Sequence, residues 1–254
     1  MSTISVEFFS ESLIRPTHFG VFLPNDRTQE DKPMKTLFLL HGYTGAGGNW
    51  VPEQLARKYN VAVVTPTGEN AFWLDGLSTG HKFCTLIGKE LVEYVRKTFG
   101  LAMKPEDTCI MGLSMGGFGA LHTAFAYPET FGKTAGMSSA LIVHGIAHMK
   151  PGEDNGVGNY EYYRECFGDL ETVEERDCNP EVLVKKLHDE GKKIPEIFIS
   201  CGTEDFLIEP NRAFHAFLEK EGITHTYVES KGSHDMDFWN EYTEKFMEMM
   251  FGEK

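Results

Sequence analysis

The chain has 254 residues, 41% of them hydrophobic, and a formal net charge of −14. The apolar share suffices for a real core, and the length reads as a single domain over residues 1–254. So acidic a balance argues against nucleic acid, an anionic membrane and acidic polysaccharide as partners.

Ile4 to Ser10 and Thr17 to Leu23 alternate polar and apolar residues, which predicts an antiparallel hairpin at a sheet edge. Lys35 to Leu40 is a fully apolar strand pattern of the kind covered on both faces. It runs into His41 to Trp50, a glycine-rich loop. A loop of this kind after an early strand is where acyl-transfer enzymes place one backbone N–H donor for an oxyanion. A phosphate cradle is the alternative, but the loop lacks both G-x-G-x-x-G and a Lys-Ser/Thr ending. Helices are predicted over Trp50 to Tyr59 and Lys82 to Phe99, on either side of a strand, Val61 to Pro66. Trp73, on the loop after that strand, is expected to line the substrate pocket, with core packing as its alternative.

The next strand, Asp107 to Met111, follows a turn at Pro105 and leads into Gly-Leu-Ser-Met-Gly, residues 112 to 116. A helix rich in Gly, Ala and Leu follows from Met115 to Ala126. Strand, sharp turn and helix around G-x-S-x-G make a nucleophile elbow, with Ser114 as the nucleophile. Gly112 and Gly116 leave room for the two backbones to meet, and the N–H of Met115, the residue after the serine, is the first oxyanion donor. A similar string, Gly136 to Ala140 around Ser138, ends in alanine and has no clean helix after it, so it reads as an ordinary strand end.

Between His144 and Cys178 the rhythm breaks into a Gly/Pro-rich loop, an aromatic run (Tyr160, Tyr162, Tyr163, Phe167) and many acids. We expect a small helical cap over about residues 144–178, lining the acyl or alcohol pocket. A helix from Pro180 to Glu190 precedes the apolar strand Ile194 to Cys201, which ends in Gly202-Thr-Glu-Asp205. A helix from Pro210 to Glu221 and a strand from Thr224 to Glu229 follow, then Lys-Gly-Ser-His234 and a last helix, Asp235 to Phe251. Asp205 and His234 therefore each lie on a loop after a strand, in the order serine, acid, histidine. His234 would act as general base and Asp205 would hold its tautomer. Glu204 and Asp237 are rival acids, but Glu204 points away from Asp205 on an extended loop, and Asp235 and Asp237 suit the first turn of a helix. His144 and His148, four apart, have Gly145 where a zinc protease carries glutamate, and no third ligand presents itself. The remaining histidines read as structural or solvated, and Cys109 and Cys201 as buried hydrophobes.

Leu39-Leu-His-Gly, the run Gly112 to Leu121, Gly202 to Leu207 and Gly232 to Trp239 resemble the esterase D group of α/β-hydrolases over essentially the whole chain. That group includes tributyrin-type esterases, feruloyl and acetylxylan esterases, and S-formylglutathione hydrolases. The resemblance implies an α/β-hydrolase fold, mostly parallel with helices on both faces. It also implies Ser114, Asp205 and His234 as the triad and Tyr43 and Met115 as oxyanion donors, with Gly42 the alternative to Tyr43. Two departures, Gly45 after Thr44 where formylglutathione hydrolases usually carry cysteine, and the Asn70 to Asp75 segment, count against that branch.

The expected function is a serine carboxylesterase for short-chain or aryl esters, with no metal and no organic cofactor. An S-formylglutathione hydrolase, an acyltransferase on the same fold and a catalytically silent binding protein are the alternatives. The expected partner is a small-molecule or oligosaccharide ester, with self-association left open. No run spans a bilayer, no signal-peptide core opens the chain, and five cysteines without C-x-x-C suit a cytoplasmic location. A secreted form that has lost its leader is left open.

Overall fold

The apolar runs in the middle of the chain become neighbouring strands of one sheet. The computed structural model describes residues 1–24 and 33–252. Its strands are β1 (Ser2–Ser10), β2 (Arg15–Leu23), β3 (Lys35–Leu40), β4 (Val61–Pro66), β5 (Thr108–Leu113), β6 (Lys133–Met137), β7 (Glu196–Gly202) and β8 (Thr226–Ser230). They pair in the order β1-β2-β4-β3-β5-β6-β7-β8. Pairings among β3 to β8 are parallel, while β1–β2 and β2–β4 are antiparallel. The opening hairpin thus forms the edge that its polar–apolar alternation predicts.

The helices are α1 (Glu53–Tyr59), α2 (Phe83–Thr85), α3 (Leu91–Phe99), α4 (Met115–Ala126), α5 (Val143–Ile146), α6 (Tyr160–Phe167), α7 (Pro180–Asp189), α8 (Ile208–Lys220) and α9 (Met236–Phe251). Successive residues of β3 face opposite ways. Leu37 and Leu39 join a core with Ala56 of α1 and Tyr242, Phe246 and Met250 of α9. Phe38 and Leu40 join a second core with Val92, Phe118, Leu121, Val184 and Phe214 from α3, α4, α7 and α8. Both faces are dry, which is why the strand reads as apolar without alternation. This mostly parallel sheet with helices on both faces is the α/β-hydrolase arrangement.

Element ends shift for identifiable reasons. Pro52 occupies the N-cap of α1, so the helix starts at Glu53 rather than Trp50 and leaves Trp50 outside it. α8 starts at Ile208, ahead of Pro210, because proline is tolerated in a first turn whose N–H groups have no intrahelical acceptor. The predicted helix Lys82 to Phe99 is present but contains a π turn over Leu86–Glu90. Gly136 to Ala140 is not an ordinary strand end. β6 stops at Met137, and buried Ser138 adopts φ 47°, a left-handed conformation rare for a residue with a Cβ.

Candidate active site

β5 delivers Ser114 at φ 54°, ψ −120°, just before the first residue of α4. Such a backbone costs on the order of 1–3 kcal/mol and persists only where surroundings fix it. Here the Ser114 N–H donates to Met137 O at 2.9 Å, and its carbonyl accepts from Phe118 at 3.1 Å and Ala140 at 2.9 Å. The glycines on either side are required by space. A Cβ at Gly112 would stand 2.2 Å from Gly116 O, and one at Gly116 would stand 2.2 Å from Leu40 O.

The loops after β7 and β8 bring the other two side chains to this turn. His234 Nε2 accepts from the Ser114 hydroxyl at 3.0 Å, and its Nδ1–H donates to Asp205 Oδ2 at 2.9 Å and Oδ1 at 3.1 Å. Asp205 is buried, whereas Glu204 beside it is exposed. Burial would raise the Asp205 pKa, but hydrogen bonds from His234, Ser138 and the Leu207 N–H outweigh it and hold the carboxyl below its usual range. Ser138 also accepts from Trp239 Nε1 at 3.1 Å, and the Trp239 ring meets the imidazole edge-on at 4.8 Å. Asp235 caps α9 through the Phe238 N–H at 3.0 Å, so it serves the helix rather than the histidine.

The glycine-rich loop runs beside this chain of hydrogen bonds. At Gly42 a Cβ would be 2.8 Å from Leu113 Cδ1 and 3.4 Å from Ser114 Cβ, so the loop backbone lies against the serine. Among the described residues, neither the Tyr43 N–H nor the Met115 N–H donates to a backbone or side-chain acceptor. His41 is buried. Its burial lowers its pKa, its Nδ1–H donates to Gly42 O at 2.8 Å, and its Nε2 accepts from the Gly68 N–H at 2.9 Å. Asn70 Oδ1 accepts from the Thr44 N–H at 2.8 Å, and Asn70 O accepts from the Tyr162 hydroxyl at 2.6 Å. His41 thus fills a structural role, as expected of the histidines outside the acid–base pair, while the Asn70 braces join residues 26 and 92 positions apart and leave no local signature.

Trp73 requires a correction: it does not line the pocket. It is fully buried, its Nε1–H donates to His41 O at 3.2 Å, and a Cβ on Gly119 would be 2.4 Å from its ring. A left-handed turn at Phe72 and Trp73 (φ 50° and 58°) directs the indole under the loop instead of into solvent. It supports the glycine-rich loop from behind.

A cavity of about 630 Å³ opens over Ser114 and His234. The glycine-rich loop, Leu39, Trp50, Phe72, Leu113 and Ile142 line it, and the 144–178 stretch contributes Asn155, Val157 and Tyr163. His144 and His148 lie on either side of Glu174, at 2.5 Å and 3.9 Å from its carboxylate oxygens. His144 pairs with Glu174 and Glu181, and His148 with Glu171. Among the described residues no group of three or more His, Cys, Asp or Glu side chains could hold a metal ion. Burial pushes the thiols of Cys109 and Cys201 up to about 12, which leaves them protonated and inert. Arranged this way, the site can activate a hydroxyl through an imidazole beside two unengaged backbone donors, the parts needed for acyl transfer.

Residues 10–250 match the Esterase family model. An acetyl esterase of Caldicellulosiruptor saccharolyticus is 39% identical over 261 residues, covering 98% of each chain. The fluorophosphonate-binding serine hydrolase F of Staphylococcus aureus superposes with a TM-score of 0.87 at 26% identity, covering 99% of both chains. An S-formylglutathione hydrolase of the same organism gives 0.84 at 26% identity, over 98% of both chains.

Proposed function

This chain belongs to the esterase family and is a serine carboxylesterase, and from that premise we propose that Ser114, His234 and Asp205 carry out its chemistry on short-chain acyl esters. The observation that carries the proposal is the unbroken line from Ser114 Oγ through His234, at 3.0 Å and 2.9 Å, to buried Asp205. His234 takes the Ser114 proton as Oγ attacks the ester carbonyl. The Tyr43 and Met115 N–H groups then receive the oxyanion. His234 passes the proton to the departing alcohol as the C–O bond breaks, leaving an acyl-Ser114. Water, deprotonated by the same imidazole, releases the acid. Asp205 stays ionised throughout and stabilises the imidazolium. These steps use side chains and backbone donors alone.

The acetyl group is the favoured acyl unit because the acetyl esterase relative matches along its whole length. The S-formylglutathione hydrolase neighbour supplies a second reading, and Gly45 weighs against it. A Cβ there would be 3.0 Å from Gly42 O and 3.1 Å from His41 Cβ, so the loop is closed around the lack of a side chain. We also assign the 144–178 stretch as a small cap on a single domain. A small-molecule or oligosaccharide ester as the natural substrate, self-association and a cytoplasmic location belong to the same proposal. Among the described residues no helix is long and apolar enough to cross a membrane.

The test is a p-nitrophenyl ester series from acetate to palmitate, with methyl ferulate and S-formylglutathione alongside. Highest kcat/KM at acetate to butyrate is expected. A maximum beyond about ten carbons, where each accommodated CH₂ would add roughly 0.8 kcal/mol, would contradict the short-acyl assignment. Turnover of S-formylglutathione far above every ester would favour the second reading.

A further inference from the structure

We propose that Phe206 and Met236 form the subsite for the alcohol half of the ester, a flat apolar platform that selects leaving groups carrying a ring. This rests on the reading of His234 as the group that protonates the leaving oxygen. Phe206 follows Asp205 directly in the chain. The Leu207 N–H bonds to Asp205 Oδ1 at 2.8 Å, so the loop turns tightly and sends the residue between them outward. That turn explains why residue 206 is exposed but not why it is phenylalanine. At 72%, Phe206 is the most exposed large apolar side chain among the described residues. Its ring lies 4.5 Å from the His234 imidazole at an interplanar angle of 44°.

Phe206 does not stand alone. Tyr43, Val157 and Met236 are also exposed apolar side chains, and all four border the cavity over Ser114. On a chain of net charge −14, four exposed apolar side chains gathered around one cavity mouth mark a binding surface. Reaction geometry separates its two sides. With the carbonyl oxygen toward the Tyr43 and Met115 N–H groups, the ester oxygen must lie within reach of His234 Nε2 for its proton. The alcohol carbon chain then continues past the imidazole, where Phe206 and Met236 rise. The acyl group is left to the side of Leu39, Trp50 and the glycine-rich loop. A phenyl ring beside the exit path stacks on a second flat face, either an aryl group or the C–H face of a pyranose.

The experiment compares wild type, Phe206→Ala and Phe206→Tyr on acetates that share one acyl group and differ in alcohol. The alcohols are ethanol, 2-phenylethanol and a methyl xyloside. For Phe206→Ala, kcat/KM for 2-phenylethyl acetate relative to ethyl acetate should fall about 2- to 13-fold, mainly through KM, and Phe206→Tyr should restore the ratio. A parallel fall for the acetylated xyloside identifies a carbohydrate ring as an occupant, and a fall for the phenylethyl ester alone identifies an aryl group. An unchanged ratio would overturn the subsite. So would an equal fall on all alcohols with an altered pH profile, because Phe206 would then only orient the imidazole. Loss of a dimer in Phe206→Ala on size exclusion, with selectivity intact, would also overturn it and make the collar a contact between copies. Substantial activity in His234→Gln would instead refute the base assignment, so the two failures read differently.

Discussion

Ser138 is the side chain whose replacement tests the support behind the acid and base most sharply. It accepts from Trp239 Nε1 at 3.1 Å, which leaves its own proton for the Asp205 carboxylate. Ser138→Ala removes one of the groups that hold Asp205 and strands a buried indole N–H. An unsatisfied buried donor costs about 1–3 kcal/mol, so stability should drop by that amount. If about 1.4 kcal/mol of the loss is felt as disorder in the acid–base pair, kcat falls about tenfold with KM little changed. The left-handed φ of 47° complicates this, because alanine tolerates it no better than serine. Ser138→Gly relieves the backbone while still removing the hydroxyl, so both variants should lose kcat, with glycine the more stable of the two. Acid unfolding gives an independent readout. Asp205 is held below its usual range, so its contribution to stability is present above the unfolded carboxylate pKa, about 3.9, and is lost as pH falls through the folded value. With Ser138 removed the carboxyl is less depressed, and the acid unfolding midpoint should move to higher pH. Steady-state kinetics with 4-nitrophenyl acetate and urea titrations measure all of this. Wild-type kcat in both variants would refute the reasoning, and full recovery in glycine alone would reduce Ser138 to a backbone position.

Two further outcomes follow from buried groups, Trp73 beneath the glycine-rich loop and His122 farther along α4. Trp73→Phe should lose about 1–3 kcal/mol, since His41 O loses its indole donor, and kcat/KM should change by the same factor for every ester. A substrate-dependent KM change, without loss of stability, would return Trp73 to the pocket. His122 is buried with its pKa lowered to about 4 from 6.5, first by burial, against an opposing hydrogen bond to Asp177 O. The unfolded chain therefore takes up this proton first, and stability falls as pH drops from 6.5 toward 4, by on the order of 3 kcal/mol in total. His122→Gln should flatten urea midpoints across that interval, and an unchanged slope would show that another group is responsible.

The parts of the site legible in sequence are those with local chemistry. A fully apolar strand, two glycines and a following helix constrain the turn at Ser114 within a dozen residues, and strand ends position the loops of Asp205 and His234. Trp73 was misplaced because its direction depends on left-handed residues at 72 and 73, which no periodicity signals. Ser138 resembled a strand end because its partners, Trp239 and Asp205, are distant in sequence and meet it only across the assembled sheet. Asn70 is silent for the same reason, since Thr44 and Tyr162 reach it only in the folded chain. Phe206 offered a signal that was available, an apolar residue next to a candidate acid on an exposed loop.

The most direct test of the account is turnover by Ser114→Ala, paired with intact-mass analysis after mixing with 4-nitrophenyl acetate. The variant should fold, lose turnover by about 10⁴-fold or more, and show no acetyl adduct, while wild type carries one on the peptide containing Ser114. More than a tenth of wild-type turnover in the variant, or an adduct on a different side chain, would contradict the assignment of Ser114 as the nucleophile.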